Sequence, residues 1–320
     1  MRRAVHAIRL HAFGPPSNLV YEEVEDPAPT TGQLRIAVAA AGVHLIDTRI
    51  RAGQRMGPMP LPELPQVPGR EIAGVVDDVG ESADASWLGR RAVAHLGPAS
   101  GGYAELAVVG AGVVHAIPDG VDAATAVAMI GTGRTAMGIL DVAAIGADDA
   151  VLVLAAAGGL GNLLVQAGLR AGARVVGAAG GAEKVARVRA LGAKAVDYAN
   201  EGWTDEVGAV TLVLDGVGGA IGRAAFDLLA PAGRFVFFGL ASGSLTPFAA
   251  GDLIGRGLTA ASALGRPADQ RALEARALEA AEGGELVPLV TRFPLADAAA
   301  AHAAIEARET VGKVVVTASN

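Results

Sequence analysis

Apolar and polar positions alternate in short runs over roughly the first third of the chain. RIAVAAAG (35–42), EIAGVVDDVG (71–80), RAVAHLG (91–97) and YAELAVVG (103–110) are β-leaning segments bounded by Gly, Pro and Asp, the pattern of strands closed by turns. Between 57 and 68 lies GPMPLPELPQVP, whose five prolines read as an extended connecting loop. The period changes near 122. DAATAVAMIGTGRTAMGILDVA has helical spacing and helix-forming alanines, with Asp122 near its start.

From 151 to about 263 strand and helix alternate. VLVLAA (151–156) precedes a helix at 160–171, RVVGAA (174–179) precedes EKVARVRALG, and AVDY precedes TLVLD (211–215). IGRAAFDLLA, RFVFFG (234–239) and LTAASAL (258–264) complete the series. Continuous apolar strands joined by helices predict a parallel sheet buried on both faces, in a doubly wound nucleotide-binding layout. Residues 270–282 and 296–308 read as alanine- and charge-rich helices, and the closing strand GKVVVTA is expected to return to the first domain. The fold class is therefore α/β. A β-rich domain spans 1–121, a nucleotide-binding domain 122–264, and the return 265–320.

At 320 residues two domains are the natural division, and 52% hydrophobic content supplies enough apolar surface for two cores. A net charge of −7, spread along the chain, argues against nucleic acid or an anionic membrane as a partner, since both reward clustered Lys and Arg. The absence of Cys excludes disulfides, thiolate zinc sites and cysteine nucleophiles. MRRAVHAIRLHAFG carries no apolar run of signal-peptide length, and VLVLAAAGGL (151–160) is too short and glycine-broken for a membrane span. A soluble, cytoplasmic protein is the expectation.

The strongest chemical signal is VLVLAAAGGLGNLLVQAGLRAG, a degenerate G-x-G-x-x-G pattern with Ala156 in the first glycine slot, then Gly158 and Gly161. Gly158 and Gly159 allow a tight turn and close backbone approach to a pyrophosphate, and Gly161 lets the helix pack on its strand. An NAD-preferring site would usually close the second strand with Asp or Glu. Here Gly180 and Gly181 stand there and Lys184 follows, placed to meet a 2′-phosphate, while Glu183 lies beyond the strand end. NADPH is the expected cofactor.

These segments resemble the medium-chain dehydrogenase/reductases, and within them the zinc-independent quinone oxidoreductases of the zeta-crystallin type. GVHLIDTRIRAG (42–53) is similar to the family's GVN-x-x-D-x-x-x-R-x-G, and GREIAGVVDDVG to its G-x-E-x-x-G-x-V-x-x-VG. AAAGGLG, AEK, LGAKAVDY, LDGVGG, FFGLASG and AAHAAIEARETVGKVVV follow in the family's order. The resemblance implies a GroES-like catalytic domain and a Rossmann domain with nicotinamide and substrate in the cleft between them. It also implies NADPH-dependent reduction of quinones or related conjugated carbonyls, often by a homodimer. By matching positions it implies that Gly158, Gly159 and Leu160 meet the pyrophosphate, and that Gly180, Lys184 and Tyr198 frame the 2′-phosphate. Thr135, Val217, Phe238 and Gly239 would approach the nicotinamide half.

The family's zinc-using branch places Cys at His44, His at Arg70 and a further Cys near Thr132. Arg70 cannot bind zinc, so no metal is expected. Without a Lewis acid an alcohol is a poor substrate, whereas quinones and enones need only orientation and electrostatic help. Two residues depart from the quinone-reductase pattern: the family's Asn is His44, and a Tyr of some members is Arg49. His44 is read either as hydrogen-bonding or protonating the substrate carbonyl, or as packing in the cleft. Arg49 either steadies an oxyanion or is solvated on a mobile loop, and Asp47 holds that loop by hydrogen bonds. Lys313 reads either as reaching the cofactor cleft or as structural, Arg134 as a possible phosphate or substrate contact, and His302 as packing. His6, His11, His95 and His115 form no metal spacing. Three functions remain open: a quinone reductase, an enone or 2-alkenal double-bond reductase, and a non-catalytic NADPH-binding protein.

Overall fold

The computed structural model describes residues 5–55, 60–263 and 268–318. The start of the proline-rich loop (57–59) and the last residue of LTAASAL lie outside them. The chain divides into two compact units: Met1–Thr132 with Ala277–Gly284 and Pro288–Asn320, and Gly133–Arg276 with Glu285–Val287.

The first unit is built on strands β1 (Val5–Leu10), β2 (Leu19–Val24), β3 (Gln33–Val43), β4 (Glu71–Val79), β5 (Arg91–His95), β6 (Leu106–Gly110) and β7 (Val114–Ala116). Helices α1 (Leu45–Arg51) and α2 (Ala123–Ala128) also belong to it. β1 and β2 form an antiparallel pair that the sequence reading did not anticipate. Along β3 burial alternates, so Leu34, Ile36 and Val38 enter a core with Ile8, Ile72, Val76 and Tyr103. The GVHLIDTRIRAG segment, expected as a loop, carries the short helix α1. Its β-branched Ile46, Thr48 and Ile50 hide a helical pattern over only seven residues, and the Asp47 carboxylate that caps the backbone N–H of His44 starts it.

The second unit holds α3 (Arg134–Ala143), β8 (Ala150–Leu154), α4 (Gly159–Arg170), β9 (Arg174–Ala179), α5 (Ala182–Ala190), β10 (Lys194–Asp197) and α6 (Trp203–Val207). It continues with β11 (Val210–Asp215), α7 (Gly219–Asp227), β12 (Leu229–Phe237), α8 (Ala250–Arg256), β13 (Thr259–Ser262) and most of α9 (Gln270–Glu282). Its six strands are parallel, in the order β10-β9-β8-β11-β12-β13, so chain direction across the sheet reverses between β8 and β11. Ligands of doubly wound sheets bind at the carboxyl ends of the strands beside such a reversal. Phe226, Phe235 and Phe248 cluster beneath it, with the 226 and 248 rings stacked at 5.1 Å.

The chain then returns to the first unit through β14 (Val290–Pro294), α10 (Ala298–Glu306) and β15 (Lys313–Thr317). The first unit's seven-stranded sheet runs β14-β15-β3-β4-β5-β7, with β6 paired to β3. Register then fixes the site. Val43 lies opposite Val314, Ala41 opposite Ile72, and Glu71 opposite His95. Gly42, His44, Glu71, His95 and Lys313 therefore gather at one end of the sheet although they come from four segments.

The expected helix from 122 to 143 is interrupted by a π-helical turn, Met129–Gly133. Taken together, Ala123–Ala143 is 21 residues with a hydropathy of 1.2, long and apolar enough by composition to cross a bilayer, and it exceeds VLVLAAAGGL as the longest such run. It is 67% buried inside the protein, as a core helix is.

Candidate active site

In the second unit the glycine-rich turn closes β8 and opens α4. Ala155 takes a left-handed φ of 51° and Gly158 is the N-cap residue. A Cβ on Gly161 would lie 2.2 Å from the Ala155 carbonyl oxygen, so only glycine lets the helix approach this closely. The fully buried Asn162 amide donates to the carbonyls of Gly158 and Gly159, both at 2.8 Å, and stiffens the turn. Three backbone N–H groups, of Gly159, Leu160 and Gly161, open the helix at the sheet reversal, the arrangement that binds a phosphate.

At the end of β9, Gly180 lies against the Tyr198 ring: a Cβ there would meet Cε2 at 3.0 Å. Lys184 is half-buried in the first turn of α5. Asp197, not singled out from the sequence, closes the neighbouring strand, and its Oδ1 accepts the N–H groups of Gly181 at 3.0 Å and Ala199 at 2.9 Å. After β11, the fully buried Asp215 carboxylate accepts from the backbone of Val217 at 2.8 Å and Gly218 at 2.9 Å, and from the Thr246 hydroxyl. The LDGVGG pattern marked this turn and contains Asp215, although the sequence reading gave that acid no role. Phe238 is buried and donates its N–H to the Asp215 carbonyl at 2.8 Å. A Cβ on Gly239 would press on the Gly216 carbonyl at 2.7 Å. Thr135 is half-buried on α3. Arg134 forms an ion pair with Glu274 at 3.1 Å. The close glycine approaches and the open helix start fit a dinucleotide.

In the first unit His44 sits between two carboxylates. Its Nε2 lies 2.9 Å from Glu71 Oε1 and its Nδ1 3.4 Å from Asp47 Oδ2. The other Glu71 oxygen lies 2.9 Å from Lys313 Nζ. Lys313, read from sequence as either a cofactor contact or structural, is thus committed to Glu71. Glu71 is fully buried and Lys313 nearly so, while a quarter of the His44 side chain is exposed. Both Glu71 contacts are short-range charge pairs. Burial works against the imidazolium, but the Glu71 charge and the Asp47 contact outweigh it and raise the His44 pKa above its ordinary 6.5. Glu71 and Asp47 are likewise lowered against their burial, chiefly by His44 and secondarily by Lys313.

Asp47 also leads inward. The Tyr103 hydroxyl lies 3.5 Å from Asp47 Oδ2 and 3.3 Å from His302 Nε2, with the two rings edge to face at 5.8 Å. His302 is fully buried, and burial pushes its pKa down to about 4. It packs as a neutral ring. Arg49 lies on α1, half-buried, not on the mobile loop of one sequence reading.

Residues 30–119 match the alcohol dehydrogenase GroES-like domain family, and residues 191–316 the zinc-binding dehydrogenase family. A quinone oxidoreductase of Pseudomonas aeruginosa is 31% identical, over 97% of this chain and 98% of its own. The chain belongs to the medium-chain dehydrogenase/reductases, of the quinone oxidoreductase type. It is an oxidoreductase with a GroES-like domain and a Rossmann domain. A 2-haloacrylate reductase from a Burkholderia species is 30% identical, over 98% of both chains. The crystal structure of Escherichia coli quinone oxidoreductase complexed with NADPH superposes with a TM-score of 0.83 at 27% identity, over 98% of this chain and 99% of that one.

One matching domain family is named for zinc, and the residues do not fit that metal. Among the described residues no group of three or more His, Cys, Asp and Glu is arranged to hold a metal ion. Thr132 and Arg70 stand where ligands would be needed, and Lys313 holds a cation against the buried Glu71 carboxylate. What the sequence reading missed is that Glu71 and Lys313 complete a charged cluster with His44. The three residues lie far apart in the chain, and only sheet register joins them.

Proposed function

We propose that the protein is an NADPH-dependent reductase of quinones or related conjugated carbonyls, acting without zinc. The observation that carries this is the His44–Glu71–Lys313 cluster, which puts a proton-bearing group where a metal-dependent relative needs a Lewis acid. When bound, NADPH supplies a hydride with its two electrons. The open start of α4 at Gly158, Gly159, Leu160 and Gly161 binds the pyrophosphate. Gly180, Lys184 and Tyr198 receive the 2′-phosphate, with Lys184 as its cation. Thr135, Val217, Phe238 and Gly239 form the nicotinamide side.

His44 donates a hydrogen bond to the acceptor carbonyl and then its proton to the oxygen. A quinone gains a hydride and a proton and leaves as the hydroquinone, with oxidised cofactor as the other product. Proton donation of this kind contributes about 10²–10⁴-fold. Arg49 supplies positive charge that steadies the oxyanion. Support for NADPH comes from Lys184, which follows the end of β9, and from the NADPH complex of the Escherichia coli relative. We read the enzyme as cytoplasmic, and as homodimeric on the family resemblance.

A second reading, reduction of a conjugated carbon–carbon double bond, is favoured by the similarity to a 2-haloacrylate reductase. It uses the same hydride and delivers the proton to carbon. Steady-state NADPH oxidation with 1,4-benzoquinone and with a short enone separates the two. Faster turnover of the quinone is expected, and turnover of the enone alone selects the second reading. NADPH binding without oxidation across a panel of acceptors would leave a binding protein.

A further inference from the structure

His44 is held by groups from every element around it. Asp47 on α1 faces Nδ1, Glu71 at the start of β4 faces Nε2, and Lys313 at the start of β15 faces the far oxygen of Glu71. His95, at the end of β5, adds positive potential at Glu71. Beyond Asp47 stand the Tyr103 hydroxyl and neutral His302, with Arg51 acting on His302. With His44 protonated, two cations (His44 and Lys313) balance two carboxylates (Asp47 and Glu71). With His44 neutral, Asp47 and Glu71 lose the cation between them, where three of the four side chains are at most 5% exposed. An unpaired buried charge is strongly disfavoured, so the cluster favours the imidazolium.

Two glycines fix the carboxylate that faces Nε2. A Cβ on Gly42 would fall 2.0 Å from one Glu71 oxygen, and a Cβ on Gly131 would fall 1.4 Å from the other. The π-helical turn Met129–Gly133 thus brings bare backbone against Glu71. The carboxylate has no room to swing away from the ring.

We propose that Glu71 is a positioning residue that holds His44 as the proton donor, and that Lys313, through the second Glu71 oxygen, sets how readily His44 gives its proton up. The use made of that proton rests on the reductase reading; the charge coupling does not. The proton leaves from Nε2, because Nδ1 is buried against Asp47. A quarter of the His44 side chain is exposed, which leaves the ring within reach of a substrate oxygen. In the transfer the Nε2–H bond breaks as the O–H bond of the reduced acceptor forms, and its electron pair stays on Nε2. Protons do not return through Tyr103, whose hydroxyl is held in its protonated form first by burial and then by Asp47 and Glu71. They return from water at the exposed part of His44.

The test has two readouts on the full-length protein. NMR of isotope-labelled histidine, assigned with His44→Gln, gives the His44 titration without reference to any acceptor. The pH profile of kcat for NADPH oxidation by 1,4-benzoquinone gives the donor's basic limb. His44 should titrate above its ordinary value in the wild type. Glu71→Gln removes an adjacent anion without changing shape, and should lower that titration and the basic limb together by about 1–3 pH units. Lys313→Met removes a cation, and should move both in the opposite direction. A merely structural role would lower stability or rate without opposed shifts. An absent or reversed NMR shift in either variant overturns the proposal, so one soluble variant of the pair suffices. Opposed NMR shifts with an unmoved kcat profile overturn proton donation. Opposed shifts in a protein that reduces no acceptor keep the coupling and sink the reductase reading.

Discussion

At His44 the decisive quantity is the balance between a quarter-exposed imidazole losing water and two nearby carboxylates gaining a cation. The carboxylates win, so His44 stabilises the fold below its ordinary pKa and that contribution is lost as pH rises through the elevated value. His44→Ala should lower turnover by about 10²-fold or more while leaving NADPH affinity nearly unchanged; steady-state rates beside a fluorescence binding titration check this. Unchanged turnover would remove His44 from the chemistry. Lys184→Ala should raise the KM for NADPH about tenfold and leave that for NADH almost untouched, since only NADPH carries the 2′-phosphate. Equal effects on both would sink the 2′-phosphate assignment. The sequence exposed His44, Asp47 and Lys313 as single candidates. It did not expose their connection, because Glu71 and Lys313 lie 242 positions apart and meet only through the β4–β3–β15 register.

At the scale of elements, the parallel strands and their helices were legible because each strand is a nearly continuous apolar run closed by Gly or Asp. The helix α1 was not, because its seven residues hold three β-branched ones and its start depends on Asp47 reaching back to His44. β1 and β2 were missed as well: Arg9, Glu22 and Glu23 break the apolar alternation in so short a pair. The turn between β8 and α4 gives the sharpest test at this scale. Gly161→Ala forces a methyl group onto the Ala155 carbonyl, so helix and strand must separate. A loss of about 1–3 kcal/mol in chemical denaturation is expected, together with weakened NADPH binding. Full stability and full binding would show that the helix does not need this close approach.

Across the whole molecule, acid sensitivity should begin in the GroES-like domain. His302 is neutral in the fold with a pKa of about 4, against 6.5 when unfolded, so the unfolded chain takes up its proton first. Stability is fully present above 6.5 and falls as pH drops towards 4, by about 3 kcal/mol over that window. Asp47 and Glu71, with lowered values, add their own losses only at still lower pH. The two tryptophans report the two units separately: Trp87, under the Arg90 guanidinium at 4.8 Å, lies in the first, and buried Trp203 in the second. In a Trp203→Phe background, urea titrations followed at Trp87 should show this loss between neutral pH and about pH 4.5, and His302→Gln should remove most of it. A loss that survives the substitution would place the acid sensitivity elsewhere.

The most direct measurement is the rate of NADPH oxidation by 1,4-benzoquinone after exhaustive dialysis against a chelator, wild type beside His44→Ala. Full activity in the chelated wild type, with a loss of about 10²-fold or more in the variant, is the expected result. An enzyme that falls silent on chelation and recovers with added zinc, or a variant as fast as the wild type, would contradict reduction by a metal-free site that draws its proton from His44.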